Sequence, residues 1–322
     1  MKKKIIESVL RKKFDSFLES IEDKKVAELV RDNTMISGGS IASMLMGLKV
    51  NDYDLYFMNK ETTLAVAEYY ASKFSKNNEI KATVVDTDNL DDHLVEFYRT
   101  HGISGKGRIA IYCEATSQNI SEVIDDLEGS PGSILSAADE IKSLTGVDLD
   151  QPKVESAGSK YRPVFISPNA ISLSDKVQLI MRFYGSPEEI HTNYDFVHVT
   201  NYWTRKSGLV LNQPALEAIL TRELKYVGSK YPLASILRTK KFILRGWTIN
   251  AGQYLKMIYQ VSKLDLDDVA VLGDQLVGVD VAYFIRLINT LKAEQHKAKE
   301  SGNPFVVDYS YLVDVIDRIF ER

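Results

Sequence analysis

Between residues 5 and 31 apolar positions recur at helical spacing (Ile5, Val9, Leu10, Phe14, Phe17, Leu18, Ile21), which predicts one or two amphipathic helices. Shorter runs follow. Residues 34–37 read as a strand, 39–46 as a helix, 52–58 as a second strand, 62–74 as a helix, 80–85 as a third strand and 109–112 as another. Pro168-Asn169 separates two apolar runs and marks a turn. The run 177–183 fits strand or helix by pattern alone. A short helix begins at 188–190, after Gly185-Ser186-Pro187. Residues 193–203 are dense in aromatic and β-branched side chains and predict a strand. From 212 the period is helical, over 215–224, 233–245, 251–264, 267–276, 281–299 and 309–320, with glycines between the segments and no repeat period. The expected fold is α+β, a mixed β-sheet with flanking helices followed by an all-α domain. The expected boundaries are 1–32 for an N-terminal helical segment, 33–205 for the sheet-bearing head and 206–322 for the helical part.

One stretch of the head carries candidate chemistry: Ile36-Ser37-Gly38-Gly39-Ser40, a short helix, then Asp52-Tyr53-Asp54. Two glycines at a strand-to-helix junction let backbone N–H groups approach an anion, and the helix dipole favours negative charge there. Ser40 adds a hydroxyl that can cap the helix or meet a phosphate oxygen. On a strand, Asp52 and Asp54 leave the same face. Their repulsion is costly unless a cation sits between them. Mg²⁺ suits such a pair, because it takes oxygen ligands and is completed by water and substrate phosphates. The structural alternative is a tight turn beside a solvated acidic strand end.

Gly38-Gly39, Leu45, Gly47 and Asp52-x-Asp54-Leu55, in that order, resemble the signature of the DNA polymerase beta superfamily of nucleotidyltransferases. They are most similar to the head domain of tRNA nucleotidyltransferases and bacterial poly(A) polymerases. The resemblance implies a nucleotidyltransferase head in which Asp52 and Asp54 are catalytic and hold two Mg²⁺ ions, while Gly38, Gly39 and Ser40 bind the triphosphate of an NTP. It implies attack of an acceptor hydroxyl on the α-phosphate with loss of pyrophosphate, without a template, the acceptor being the 3′ end of a tRNA or another RNA. Against the family pattern, residues 86–160 are an insertion in the head.

A third acid is sought in Asp195, since a carboxylate within an aromatic run is costly unless paired or metal-bound. It serves the site or pairs with an arginine such as Arg182. Glu189-Ile190 followed by Asp195-Phe196 is similar to the family's second motif, whose Asp helps read the ribose; Tyr194 stands where that motif has Arg. Residues 231–249 resemble the helix after the head, through Pro232, Ile236-Leu237-Arg238, Phe242, Arg245 and Gly246-Trp247. There Arg238 and Lys241 are implied to contact base or phosphate. Lys230-Tyr231 replace the family's base-reading Glu-Asp pair, so the resemblance does not carry CCA addition, and the donors of Lys230 suit U or G better than C or A.

Charge changes this picture locally. The 322-residue chain has a net charge of −4, which does not mark a nucleic-acid binder. Yet between Arg222 and Lys256 lie Lys225, Lys230, Arg238, Lys240, Lys241 and Arg245, with Glu223 the only acid and tyrosines interleaved. That segment is either a solvated helix face or a surface for RNA or triphosphate. The glycine-rich stretch 102–108 lacks the spacing of a phosphate-binding loop and reads as a surface loop. The one cysteine, Cys113, leaves no intrachain disulfide and no multi-cysteine zinc site, and reads as a small buried residue. His198 reads as structural, and the other histidines show no metal-ligand spacing. Met1-Lys2-Lys3-Lys4 is followed by charged residues rather than an apolar segment, so the expected location is cytoplasmic, with no membrane partner. Three functions compete: nucleotide addition to an RNA 3′ end, a toxin-like or protein-modifying nucleotidyltransferase, and a non-catalytic RNA-binding protein on a degenerate head.

Overall fold

A computed structural model describes residues 1–78, 81–100, 103, 105–113, 160–275, 281–302, 305 and 309–320. Of the insertion expected over 86–160, the part from 114 to 159 lies outside these residues. The amphipathic N-terminus forms α1 (Lys3–Glu19) and α2 (Lys24–Asn33), the second opened by Asp23, whose carboxylate accepts from the amides of Lys25 and Val26. Strand β1 (Thr34–Ser37), helix α3 (Gly39–Met46) and strand β2 (Tyr53–Phe57) follow, and then α4 (Lys60–Asn78). Strands β3 (Ala82–Asp86) and β4 (Ile109–Cys113), with α5 (Asp92–Thr100) between them, pair with each other as a separate two-stranded sheet.

The main sheet is completed by β5 (Pro163–Ile166), β6 (Ala170–Leu173), β7 (Val177–Tyr184), β8 (Tyr202–Thr204) and β9 (Gly208–Val210), with the short helix α6 (Pro187–His191) after β7. Its order is β5-β6-β7-β2-β1-β8-β9. The β2–β7 pair is parallel and the others are antiparallel. The run 177–183, ambiguous by pattern, is therefore a strand.

Alternation along β2 gives the sheet two unlike faces. Leu55 and Phe57 join the large core under α1, α2 and α4, with Phe14, Phe17, Val66 and Tyr70. Tyr56 points the other way, to Met35, Ile190 and Tyr194, and Asp54 shares that face.

The strand expected over 193–203 is not formed, apart from its end in β8. Tyr194 N–H donates to the His191 carbonyl, Val197–Val199 is a 3-10 turn, and Thr200 N–H and Oγ1 both bond the Val197 carbonyl. Other backbone groups pair with 225–227 instead: Val197 N–H donates to Lys225 O, and Val227 N–H to Asp195 O. Local turns and a distant segment thus take the hydrogen bonds that a strand would need.

The helical part comprises α7 (Gln213–Thr221), α8 (Pro232–Leu244), α9 (Ala251–Val261), α10 (Val269–Gln275), α11 (Val281–Glu300) and α12 (Tyr309–Phe320). A second core joins it to the head, with Ala42 of α3 and Phe196 packed among Ile219, Tyr226, Trp247 and Met257. A third, of Leu272, Leu287, Leu291 and Val315, holds α10–α12 together. The architecture is an open mixed sheet with flanking helices, followed by a run of helices. No helix among the described residues is long and apolar enough to cross a membrane.

Candidate active site

Gly38, between β1 and α3, has φ at 92°, a conformation that residues with a Cβ rarely adopt. A Cβ at Gly38 would lie 2.8 Å from Oδ2 of Asp54, so the missing side chain also lets that carboxylate close onto the turn. At Gly39 a Cβ would meet nothing within 4 Å. The two glycines are therefore unequal, and only the first is demanded by geometry. The Gly38 amide donates to Val199 O at 3.2 Å. The amides that remain at the start of α3 begin with Gly39. Ser40 does not cap the helix: its hydroxyl is buried and has no hydrogen-bond partner among the described residues.

Asp52, just before β2, and Asp54, within it, are both half-buried. Burial lifts the Asp54 carboxyl to about 7, and the charge of Asp52 adds to the lift. Burial also raises Asp52, against the opposing pull of Lys176 and Lys241. Lys241, on the exposed side of α8, therefore lies within electrostatic reach of the acidic pair. Arg238, three residues earlier on the same helix, pairs with Asp195 at 2.6 Å. The other Asp195 oxygen accepts from the Phe196 amide at 3.0 Å. The carboxylate sought as a third acid is thus ion-paired, and its partner is Arg238 rather than Arg182. Tyr56 and Tyr194, with ring centroids 5.9 Å apart, feel the charges of both Asp54 and Asp195. Gly38, Asp54, Asp52, Lys241, Arg238 and Asp195 accordingly form one linked set.

Other expectations resolve differently. Lys230 and Tyr231 turn to the far end of β7: the Lys230 ammonium lies 5.5 Å from the Phe183 ring, and Tyr231 stacks under the Arg182 guanidinium at 4.1 Å. His198 is buried against Trp247 and Phe242, and burial lowers it to about 4, which keeps it neutral and structural. Cys113 is half-buried with its thiol raised to about 11 by burial, an inert setting. Two neighbours of the acidic pair escaped the sequence reading. Gln178 of β7 is in register with Asp54 across the parallel pair, and His191 Nε2 lies 3.0 Å from the Oγ of Ser37, which faces Asp54 across β1–β2. Neither carries a local signal, because both depend on strand register and on helix placement. Among the described residues no three His, Cys, Asp or Glu side chains could hold a metal ion together. A cation here would rest on two protein carboxylates.

The site is a paired-carboxylate centre at a glycine turn, on the face of the mixed sheet that also carries Tyr56. The chain belongs to the Gabija anti-defense 2 family, whose model matches residues 8–222. It is 22% identical, over 151 residues, to Gabija anti-defense 2 of Bacillus phage SPbetaL7, and the aligned part covers 45% of this chain and 38% of the relative. Among solved structures it is similar to the Thermotoga maritima CCA-adding enzyme complexed with tRNA_CCA, with a TM-score of 0.38, 11% identity, and 96% of this chain and 69% of that chain covered. It is also similar to a tRNA nucleotidyltransferase complexed with a primer tRNA and an incoming ATP analog, with a TM-score of 0.34, 13% identity, and coverage of 87% and 62%. Family membership by sequence therefore lies with Gabija anti-defense 2, and the link to tRNA nucleotidyltransferases is a remote likeness.

Proposed function

We propose that the chain is a nucleotidyltransferase that moves NMP from an NTP to an acceptor hydroxyl. In keeping with the name of its family, we place the acceptor on a protein of the defense that the family counters. One observation carries this reading: two carboxylates, one held at about 7 by burial and by the other's charge, packed against the turn at Gly38. Such a pair is unfavourable as two free anions and favourable around a hard cation. The donor set fits Mg²⁺, because two carboxylates leave positions for water and for substrate phosphates. When bound, Mg²⁺ supplies charge neutralisation at the α-phosphate and at the leaving pyrophosphate.

The protein's own groups then have these tasks. Asp52 and Asp54 would hold the cation. The first amides of α3 meet phosphate oxygens. Lys241 adds positive charge at the same place. Asp195 holds Arg238 in position for the ribose or base. The acceptor oxygen forms its bond to the α-phosphorus as the bond to pyrophosphate breaks, and the acceptor proton leaves to solvent.

A second acceptor, an RNA 3′ end, is favoured by the basic run between Arg222 and Lys256, which carries exposed Lys240. Purified protein, Mg²⁺ and each α-labelled NTP, offered with cellular RNA or with the proteins of the defense system, separate the readings. Label on protein, lost in Asp52→Asn, is the expected result. Label on RNA would move the acceptor to the second reading. No label with any NTP would sink both in favour of a non-catalytic head.

A further inference from the structure

The face of the sheet opposite Asp54 carries a cleft of about 230 Å³ that the transfer chemistry above does not use. It lies between the end of α1, the second half of α4 and residues 160–163, which lead into β5. Helix α4 contributes Tyr70, Lys73 and Lys76, which share one helix face at i, i+3 and i+6. Lys160, Tyr161 and Arg162 line the cleft from the β5 side, and Ser20 from the end of α1.

Its cations are unevenly partnered. Lys73 bonds Glu22 at 3.0 Å and lies 4.7 Å from the Tyr69 ring. Among the described residues no acid lines the cleft, and Lys76, Lys160 and Arg162 are exposed and make no ion pair. Lys13 adds a further positive charge. Its ammonium sits 5.2 Å from the Tyr161 ring and feels the charge of Lys160, with Asp175 beside it. Like charges gathered around a concave surface repel one another, and an anion held between them offsets that repulsion.

The wall that carries two of these cations is built firmly. Tyr161 is a non-glycine residue at φ 61°, a backbone state that costs free energy and persists only where the surroundings impose it. Its ring is buried edge-on against Phe17, with centroids 5.7 Å apart. The Arg162 amide donates to Ser174 Oγ at 3.1 Å, and its carbonyl accepts from the Ser174 amide at 2.9 Å. Lys76 stands in the last turn of α4, where the helix dipole favours a cation and not an anion, so side chains alone carry any anion binding. Size narrows the ligand. Pockets for drug-sized ligands begin at about 300 Å³, and this smaller cleft admits a phosphate group with at most a small sugar.

We propose that the cleft binds the phosphate group of a small molecule, either inorganic phosphate or a sugar monophosphate. Lys76, Lys160 and Arg162 supply the charge, and the Arg162 guanidinium offers forked donors that match two phosphate oxygens. Strand β2 sends Leu55 into the core with α4 and Asp54 to the other face, so the sheet separates the cleft from Asp54. The phosphate therefore belongs to a molecule other than the NTP. This site does not rest on nucleotidyl transfer.

The test is titration calorimetry of the whole chain with inorganic phosphate and with ribose 5-phosphate, in EDTA and at constant ionic strength set with chloride, with thermal denaturation alongside. Wild type should bind at least one of the two and gain melting temperature with it. The tighter one tells free phosphate from a sugar phosphate. Lys160→Gln and Arg162→Gln, both at exposed positions, should each weaken that binding by roughly tenfold or more, as for one lost charge-assisted contact. Lys299→Gln, the same charge change on α11, and Asp54→Asn should bind as wild type does. If one cleft variant fails to fold, the other decides. ATP affinity should be the same in Arg162→Gln as in wild type; a loss would overturn the separation of cleft and acidic pair. Displacement of the bound phosphate by a short single-stranded RNA would give the cleft to a nucleic-acid backbone and overturn the small-molecule assignment. Absence of binding in wild type, an equal loss in Lys299→Gln, or unaltered binding in the folded cleft variants would overturn the site itself.

Discussion

At the scale of the residue, Asp54 is the most constrained group in the site. Its carboxyl is raised to about 7 in the folded chain and returns to the ordinary carboxylate range on unfolding. The unfolded state therefore gives up this proton first as pH rises. Stability is unaffected below about pH 4, falls between about pH 4 and 7, and stays reduced above. The full shift corresponds to about 4 kcal/mol as an upper figure. Asp54→Asn should thus be more stable than wild type at pH 8 in EDTA and about equal to it at pH 3.5, as read by urea denaturation at the two pH values. Mg²⁺ should stabilise wild type at pH 8 and leave the variant unmoved. A wild type no less stable than Asp54→Asn at pH 8 would show that the carboxylate is not under strain. Gly38 belongs to the same scale: its left-handed backbone and its closeness to Asp54 Oδ2 make it the glycine that geometry requires. The sequence showed two glycines and no means of ranking them.

At the scale of the element, α8 is the part that completes the site. Its i, i+3 spacing sends Arg238 to Asp195 and Lys241 toward Asp52. The Asp195 side chain is 12% exposed and that of Arg238 is 32% exposed, so the pair is only partly shielded. Removing Arg238 leaves a largely buried carboxylate without its charge partner, which costs about 1–3 kcal/mol at this exposure. Arg238→Met should destabilise by that amount, and Asp195→Asn should recover most of it. A double-mutant cycle by urea denaturation measures the coupling; additive losses would mean that the pair does not link α8 to the head. The helices were legible because their apolar period is local. The turn at 197–199 was not, since its aromatic and β-branched composition is that of a strand. Its hydrogen bonds are decided by residues 225–227, some 30 positions away.

At the scale of the whole molecule, a chain of net charge −4 carries one basic segment beside its acidic pair. Part of that segment is used internally: Arg238 holds Asp195, and Lys225 lies 3.8 Å from Glu217. Lys240 is exposed. If RNA is the acceptor, affinity should fall steeply with salt, and Lys240→Ala should lower the slope of log K against log salt by roughly 0.7, as for one phosphate contact on a single strand. An unchanged slope, measured by fluorescence anisotropy over a salt series, would mark the segment as a solvated face and leave the protein acceptor.

The sequence by itself determined the succession strand, glycine turn, helix, strand at the start of the head, and it placed the two acids two residues apart. These features rest on side-chain period and on the backbone freedom of glycine, which neighbours a few residues apart fix. Only the tertiary structure decided that Asp195 meets Arg238 and that Gln178 stands level with Asp54. Those pairings follow from a parallel β2–β7 register closed over more than 100 residues and from helices packed against α3 and Phe196. Desolvation and charge proximity depend on what the fold brings to a side chain, and no local pattern records that.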